Sequence, residues 1–313
     1  MRIVFMGSAE FACPALEALW AGGRDEVVGL VTQPDRPQGR RLTLAPCPVK
    51  ARFGARGVPV LTPEKVNEPA AVAALRDLRP DLIVVVAYGQ IIGRALLALP
   101  PQGCVNVHGS LLPKYRGAAP IAWAIAHGES VTGITTMFMN ARMDAGDILR
   151  QAPVAITPDD TGGSLQARLA AAGAGLLLQT LDDLRAGRAA RVPQNEAEAT
   201  LAPKLSKADG RIDWALAATA IVNRVRAFNP WPCCICGLPG PEARPLRVLR
   251  ARTEPGQGLA PGTVLGDASA GPLVQAGTDA VRLIEVQPEG RRPMTGTAFL
   301  QGHPLRPGAR LTI

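Results

Sequence analysis

Residues 80–89 read PDLIVVVAYG, a run of branched apolar residues between a Pro-Asp pair and a Tyr-Gly pair. A continuous apolar run is typical of a strand that is buried on both faces, as in a parallel sheet covered by helices. Similar runs occur at Ile3–Met6, Val27–Val31, Cys104–Val107 and Gly133–Met139. Helical periodicity over Ala9–Trp20 and Ala70–Leu78 separates several of them. The pattern predicts a doubly wound, Rossmann-like α/β domain, whose ligands bind beyond the carboxyl ends of the strands.

The second half of the chain has a different pattern. A helix is predicted over Ser164–Leu184, and a segment rich in Pro, Ala and polar residues follows it. A further helix is predicted over Ile212–Ala227. Short β-like runs separated by Gly and Pro then occur at Leu246–Ala251, Gly262–Leu265, Leu273–Ala276 and Ala280–Val286. This spacing is typical of a small β-barrel. We expect a catalytic domain over residues 1–189, a linker over 190–206 and a C-terminal barrel over 207–313.

Composition excludes several classes of protein. The chain has 313 residues, of which 47% are hydrophobic and 19% charged, so it can bury a sizeable core and is not intrinsically disordered. It has no apolar run long enough to span a bilayer and no signal-peptide pattern, so we expect no membrane partner. Six irregularly spaced cysteines predict free thiols in a reducing compartment, the cytoplasm. The group Cys233, Cys234 and Cys236 lacks zinc-site spacing, so we expect no metal.

The excess of positive charge is concentrated in two regions. The formal net charge is +8, from 34 Lys and Arg against 26 Asp and Glu. Residues 207–313 contain 13 basic and 8 acidic side chains, which give +5 of that charge. The loop Gln33–Lys50 is too long for an ordinary strand-to-helix turn, and it carries Arg36, Arg40, Arg41 and Lys50 against one acid. Such charge fits nucleic acid, a membrane surface or an acidic cofactor. An aromatic content of 4% argues against binding by base stacking.

Two segments carry residues suited to catalysis. Asn106 and His108 end a predicted buried strand. Asp144, within Met143–Asp147, follows another buried strand, so its carboxylate can reach the same edge of the sheet. A core histidine and an Asp-Gly turn are the ordinary alternatives for these positions. Together, an amide, an imidazole and a carboxylate suit acyl transfer to an amine. The amide stabilises an oxyanion, and the imidazole moves a proton. The carboxylate fixes the protonation state of the imidazole.

Common nucleotide and metal motifs are absent from the sequence. The segment after the first strand lacks the G-x-G-x-x-G dinucleotide fingerprint, and the chain has neither a phosphate-loop motif nor H-E-x-x-H. The residues alone therefore indicate a metal-free α/β transferase or hydrolase with an appended basic domain.

The segment Asn106–Ile121, NVHGSLLPKYRGAAPI, resembles the folate-dependent formyltransferases. Phe5–Phe11 is similar to the opening motif of that family, with Ser8 and Ala9 departing. Met143–Asp147 is similar to its L-D-T-G-D element, with Met143 and Ala145 departing. In the C-terminal part, Lys207–Trp214 and Arg226–Pro232 resemble the members that act on methionine carried by initiator tRNA.

This resemblance implies an activity and a set of sites. The formyl donor would be 10-formyltetrahydrofolate, without a metal, and the acceptor the α-amino group of initiator Met-tRNA. Asn106, His108 and Asp144 fall on catalytic positions, with Asn106 and His108 on the oxyanion and Asp144 favouring protonated His108. The folate loop falls on Ser110, Leu111, Leu112 and Pro113. The loop Gln33–Lys50 corresponds to a loop insertion of the family that enters the acceptor arm of the tRNA, and the implied tRNA contacts are Arg36, Arg40, Arg41 and Lys50. The C-terminal barrel would hold the tRNA.

There are alternative hypotheses for the acceptor substrate. An amino sugar, glycinamide ribonucleotide or water would each suit a relative of this family, although none of them needs an arginine-rich loop and a basic C-terminal third. A non-enzymatic RNA-binding module would explain the charge and leave Asn106, His108 and Asp144 without a purpose. A formylation assay with charged Met-tRNA distinguishes these readings.

Overall fold

The computed structural model describes residues 1–39, 42–240, 244–266 and 270–312. The chain forms two compact units. The first consists of Met1–Pro120, Val131–Ala155 and Gln166–Ala202. The second consists of Ile121–Ser130, Ile156–Leu165 and Pro203–Ile313. Within the described residues, no helix is long and apolar enough to cross a membrane.

The helices and strands follow one another in chain order. The elements up to residue 117 are β1 (Arg2–Gly7), α1 (Cys13–Gly22), β2 (Glu26–Val31), β3 (Arg36–Gln38), β4 (Thr43–Ala45), α2 (Pro48–Phe53), β5 (Val60–Leu61), α3 (Pro69–Asp77), β6 (Leu82–Val86), α4 (Arg94–Leu97), β7 (Cys104–His108) and β8 (Arg116–Gly117). Those up to residue 202 are α5 (Pro120–Ala126), β9 (Val131–Phe138), β10 (Ile148–Ala155), α6 (Gly162–Arg185) and β11 (Leu201–Ala202). The remaining ones are α7 (Ala218–Ala227), β12 (Cys234–Gly237), β13 (Pro245–Glu254), β14 (Leu273–Gln275), β15 (Ala280–Pro288), β16 (Met294–Thr295) and α8 (Gly296–Gly302).

The first unit is built on a sheet in the order β10-β9-β7-β6-β1-β2-β5. The five strands from β7 to β5 in this order are parallel, and every residue of β6 and β7 is buried. Apolar residues fill both faces of these central strands because helices cover the sheet. The Rossmann-like α/β architecture expected from residues 80–89 is therefore confirmed.

Two strands at one edge make the sheet mixed. β9 is antiparallel to β7, and β10 is antiparallel to β9. The predicted parallel sheet therefore has two antiparallel strands at this edge. β10 was not predicted, because its burial alternates along the strand and its polar positions, Arg150 and Gln151, interrupt any apolar run.

Helix limits follow ordinary capping rules. α1 and α3 have a proline in their first turn, where the missing N–H costs nothing. α1 ends at Gly22 and is capped by Gly23, whose φ of 59° is the left-handed conformation common after a helix C-terminus. The segment predicted as the start of this helix, from Ala9, instead forms a 3₁₀ turn over Glu10–Ala12.

The second unit contains a closed β structure. β12, β13, β15 and β14 form an antiparallel sheet in that order, and β16 pairs with β15. Isolated bridges join its two ends: Val264 pairs with Val274 of β14, Thr263 with Arg310, and Thr312 with Gly237 of β12. These bridges complete a small barrel, as expected from the spacing of the β-like runs. Gly262–Leu265, predicted as a strand, contributes to the barrel through such bridges alone.

The helix predicted over Ile212–Ala227 begins only at Ala218. The carboxylate of Asp213 accepts a hydrogen bond from the Ala215 backbone N–H at 2.9 Å, which forms a turn that competes with helix. Trp214 is buried in that turn. Its apolar side chain produced the helical periodicity in the sequence.

The segment 190–206 was predicted as a linker. Its first part is hydrogen-bonded to the first unit, because Val192 forms a bridge with Ile148 and β11 pairs with β8. The domain limits 1–189, 190–206 and 207–313 stay a prediction.

Candidate active site

Asn106 and His108 lie on β7, which is buried along its whole length. Residues two apart on a strand point to the same face, so both side chains lie on one side of the sheet. Asn106 is 9% exposed and His108 is 6% exposed. A polar amide and an imidazole at this depth need hydrogen-bond partners, since an unpaired buried polar group is costly.

The two ring nitrogens of His108 have different partners. Nε2 lies 2.9 Å from the carbonyl oxygen of Tyr115. A carbonyl can only accept, so Nε2 carries a hydrogen and donates it. Nδ1 lies 3.7 Å from Oδ2 of Asp144. A proton on Nδ1 would therefore face a carboxylate.

Asp144 lies in the loop between β9 and β10. Its Oδ2 accepts a hydrogen bond from the Gly117 backbone N–H at 2.9 Å. Its own backbone has a φ of 48°, in the left-handed region that few non-glycine residues adopt. The structure thus brings together the predicted residues Asn106, His108 and Asp144.

Asp144 reaches the site by another route than the predicted one. We expected its strand to end at the same sheet edge as β7, but β9 runs antiparallel and Phe138, its last residue, pairs with Val105 near the start of β7. Asp144 reaches His108 because the loop 139–147 folds back. Gly146 permits this fold, since a Cβ there would lie 1.7 Å from the Phe138 carbonyl oxygen.

The predicted folate loop, residues 110–113, is held through its backbone. The Thr135 hydroxyl donates to the Ser110 carbonyl at 2.7 Å and accepts from the Leu112 N–H at 3.1 Å. Gln151 donates to the Leu112 carbonyl at 2.8 Å and to the Thr135 hydroxyl at 3.0 Å. Ser110 and Leu112 are buried, whereas Leu111 and Pro113 are partly exposed. The side chains that this loop offers to a ligand are therefore Leu111 and Pro113.

The basic loop Gln33–Lys50 contains a β-hairpin formed by β3 and β4. Lys50 Nζ donates to both carboxylate oxygens of Asp35, at 2.8 and 2.9 Å, and so ties the base of the hairpin. Arg36 is exposed and pairs with Glu64 at 2.6 Å. The other two predicted tRNA contacts, Arg40 and Arg41, lie outside the described residues.

Sequence reasoning missed the residues that hold this site. They include Tyr115 and Gly117, which contact His108 and Asp144 through backbone atoms, and the side chains of Thr135, Gln151 and Gln194. Tyr115 and Gly117 were missed because the contacting atoms belong to the peptide group and not to a side chain. Thr135 gave a usable signal, because it is a polar residue within an apolar run.

The cysteines are free thiols. Burial raises the pKa of Cys234 and of Cys236 to about 12. Both side chains are in the barrel and behave as small apolar residues.

Comparison with known proteins places the chain in a family. Residues 1–181 match the family described as formyl transferase, and residues 204–304 match its C-terminal domain. The methionyl-tRNA formyltransferase of Chloroflexus aurantiacus is 48% identical over 304 residues, covering 96% of this chain and 97% of that protein. The methionyl-tRNA formyltransferase of Moorella thermoacetica is 46% identical over 309 residues, covering 98% of each.

A solved structure has the same fold at low identity. HypX from Aquifex aeolicus, in complex with tetrahydrofolic acid, aligns with a TM-score of 0.63 and 18% identity, covering 96% of this chain and 47% of that one. Identity of 44–48% over nearly the whole chain is far above that level. The chain is a formyl-transferring enzyme, and it belongs to the methionyl-tRNA formyltransferase family.

Proposed function

We propose that this enzyme transfers a formyl group from 10-formyltetrahydrofolate to the α-amino group of methionine on initiator Met-tRNA, in the cytoplasm, for translation initiation. The relatives that carry this activity in their names match over both units of the chain. The observation that carries the chemistry is the placement of His108, whose Nδ1 lies 3.7 Å from Asp144 while Nε2 is held by Tyr115.

The reaction forms one C–N bond and breaks another. The unprotonated α-amine adds to the formyl carbon, and the C–N10 bond to the folate then breaks. The proton lost by the amine has to reach N10, so that the donor leaves as tetrahydrofolate. His108 is the proton carrier in this proposal, through Nδ1, because Nε2 is occupied as a donor to the Tyr115 carbonyl.

Asn106 supplies the hydrogen bond to the oxyanion that develops on the formyl oxygen. Its amide lies on the same strand face as His108 and is 9% exposed. A donor in such a buried position is effective because little water competes with it. His108 acts on the oxyanion through the charge of its protonated ring, and Asp144 forms an ion pair with that ring.

The folate donor is proposed to bind along residues 110–113. The backbone of Ser110 and Leu112 is fixed by Thr135 and Gln151, so the loop is pre-formed. The partly exposed Leu111 and Pro113 offer an apolar edge to a planar ring.

Two regions are proposed to bind the tRNA. In the first unit, Arg36, Arg40 and Arg41 of the segment Gln33–Lys50 are proposed to contact phosphates. Lys50 supports this segment through its ion pair with Asp35. In the second unit, β13 carries the exposed arginines Arg247, Arg250 and Arg252. Residues 207–313 carry +5 of the net charge, as a phosphate-binding domain requires.

One assay tests this function. The enzyme is incubated with 10-formyltetrahydrofolate and, separately, charged initiator Met-tRNA, glycinamide ribonucleotide, an amino sugar or no acceptor. We expect formyl-Met-tRNA as the product and no formylation of the small acceptors. Formylation of a small acceptor, or release of formate without any acceptor, at a rate equal to that with Met-tRNA would overturn the proposal.

A further inference from the structure

Gln194 lies in the segment between α6 and β11, and its side-chain amide contacts the Asp144 loop twice. Nε2 donates to the carbonyl oxygen of Asp144 at 2.9 Å and to that of Gly146 at 2.8 Å. An amide nitrogen has two hydrogens, so these bonds use both of them. Together they fix the backbone on both sides of Ala145, in the turn that presents Asp144.

Arg116 sets the orientation of that amide. Its Nε and Nη2 lie 3.0 and 2.7 Å from Oε1 of Gln194. A guanidinium only donates hydrogen bonds, so the atom that it contacts is the amide oxygen, and the NH₂ group has to face the loop. The side chain of Gln194 therefore has one orientation that satisfies both neighbours.

The Arg116 side chain is itself fixed. It is 7% exposed, and Nη1 and Nη2 donate to the two carboxylate oxygens of Glu196, each at 3.0 Å. Such a paired geometry constrains both position and orientation. The hydrogen bond from Arg116 lowers the pKa of Glu196 to about 2. The Glu196 carboxylate therefore stays charged throughout the pH range of an activity assay.

The main chain on either side of Arg116 holds the reacting groups. The carbonyl of Tyr115 accepts from His108 Nε2, and the N–H of Gly117 donates to Asp144 Oδ2, each at 2.9 Å. Arg116 therefore links the backbone that holds the imidazole and the carboxylate to the loop from which the carboxylate extends.

The Asp144 loop needs this support. Asp144 has a φ of 48°, which is unfavourable for a residue with a side chain. Without Gln194, the carbonyls of Asp144 and Gly146 would lose the side-chain donor that fixes their present directions.

We propose that Gln194 and Arg116 are positioning residues, which hold Asp144 at its distance from His108 during formyl transfer. This inference rests on the roles proposed above for His108 and Asp144.

Two substitutions of Gln194 and a neighbouring control test the inference. Gln194→Glu keeps the length and the acceptor for Arg116 but has no N–H for the two carbonyls, and Gln194→Ala removes both functions. Asn195→Ala is the control, since among the described residues the Asn195 side chain bonds within its own segment, to Ala197 and Glu198. We expect both Gln194 variants to lower kcat by about 10- to 100-fold with KM for both substrates nearly unchanged. Asn195→Ala should keep the wild-type kcat.

A double-mutant cycle separates positioning from general stability. If Gln194 acts through Asp144, Gln194→Ala should cause no further loss of kcat in an Asp144→Asn background. Equal losses in both backgrounds, or a lower Tm with wild-type kcat, would overturn the inference. Arg116→Lys keeps the charge but not the planar fork, and it should reproduce the kcat loss of Gln194→Ala without a change in KM.

The outcomes also distinguish this inference from the proposed function. If Asp144→Asn retains the wild-type kcat, the proposed role of Asp144 falls together with the inference. If Asp144→Asn is impaired and the Gln194 variants are not, the inference alone is wrong.

Discussion

Nδ1 of His108 lies 3.7 Å from Oδ2 of Asp144, while the other ring nitrogen donates to the Tyr115 carbonyl at 2.9 Å. The backbone contact is the reason that the proposed mechanism routes the proton through Nδ1. The carboxylate lies beyond ordinary hydrogen-bond length, and catalytic contacts of this kind commonly shorten when substrates bind. This pair, together with Asn106 on the same strand as His108, is the centre of the mechanism proposed for this enzyme.

Asp144→Asn isolates the charge of that pair. The amide oxygen of asparagine can still accept from the Gly117 N–H, so the loop is retained while the negative charge is lost. We expect kcat to fall by about 10²-fold or more, because proton transfer through His108 loses its counter-ion. Steady-state kinetics with Met-tRNA measure the effect. Asp147→Asn, in the same loop, is the matched control and should leave kcat unchanged; equal losses in the two variants would contradict the assignment.

Thr135→Val tests the folate loop. Valine has the same shape but cannot bond to Ser110, Leu112 or Gln151, so a buried N–H loses its partner. We expect a loss of about 1–3 kcal/mol in the free energy of unfolding and a higher KM for 10-formyltetrahydrofolate.

The neighbouring residue provides the control for this experiment. Thr136 is equally buried and bonds to Thr180 rather than to the loop. Thr136→Val should lower stability while leaving the KM for the donor unchanged. A donor KM that rises equally in both variants would mean that the loop at residues 110–113 is not the folate site.

The double variant Arg40→Ala/Arg41→Ala tests the basic loop. If these arginines contact phosphates, their loss should weaken tRNA binding and reduce the slope of log K against log salt by about 1 per contact. Binding of Met-tRNA at several salt concentrations measures both quantities. Arg76→Ala removes an exposed arginine from α3 and should change neither; a salt slope unaltered by the double variant would exclude a phosphate contact.

Thiol labelling tests the packing of the cysteines. Cys47 is partly exposed, whereas the other five cysteines are buried. Burial raises the pKa of Cys104, Cys234 and Cys236 to about 12 each, so their thiolate fraction at neutral pH is very small. Mass spectrometry after brief alkylation of the native enzyme should find the label at Cys47 first. Labelling of Cys234 or Cys236 at the same rate would show that the barrel opens readily.

The central strands could be predicted from the sequence because burial on both faces leaves an unbroken apolar run, as at residues 80–89. The same reasoning missed β10, whose alternating burial includes Arg150 and Gln151. It also extended a helix back to Ile212, because it could not weigh the Asp213 turn against the apolar Trp214. For β10 the deciding interaction is its pairing with β9, which the local pattern does not contain.

The side chains that we propose as catalytic could be named from the sequence, but their support could not. Asn106, His108 and Asp144 were selected from their residue types and their places at the end of, or after, predicted strands. The partners of His108 and Asp144 are backbone atoms of Tyr115 and Gly117, which a search for chemically reactive side chains does not identify. Gln194 lies in a segment that reads as a linker, since polar, Pro- and Ala-rich sequence gives no sign that its backbone bonds to the sheet.

The central claim is that Asn106 and His108 act on the chemical step of formyl transfer to Met-tRNA. The most direct measurement is the single-turnover rate of formyl-Met-tRNA formation, with wild-type, Asn106→Ala and His108→Ala enzyme in excess over both substrates. We predict that Asn106→Ala slows this rate by about 10²- to 10³-fold, the effect of losing one oxyanion donor, and that His108→Ala slows it at least as much. Formation of formyl-Met-tRNA at the wild-type rate by both variants would contradict the account.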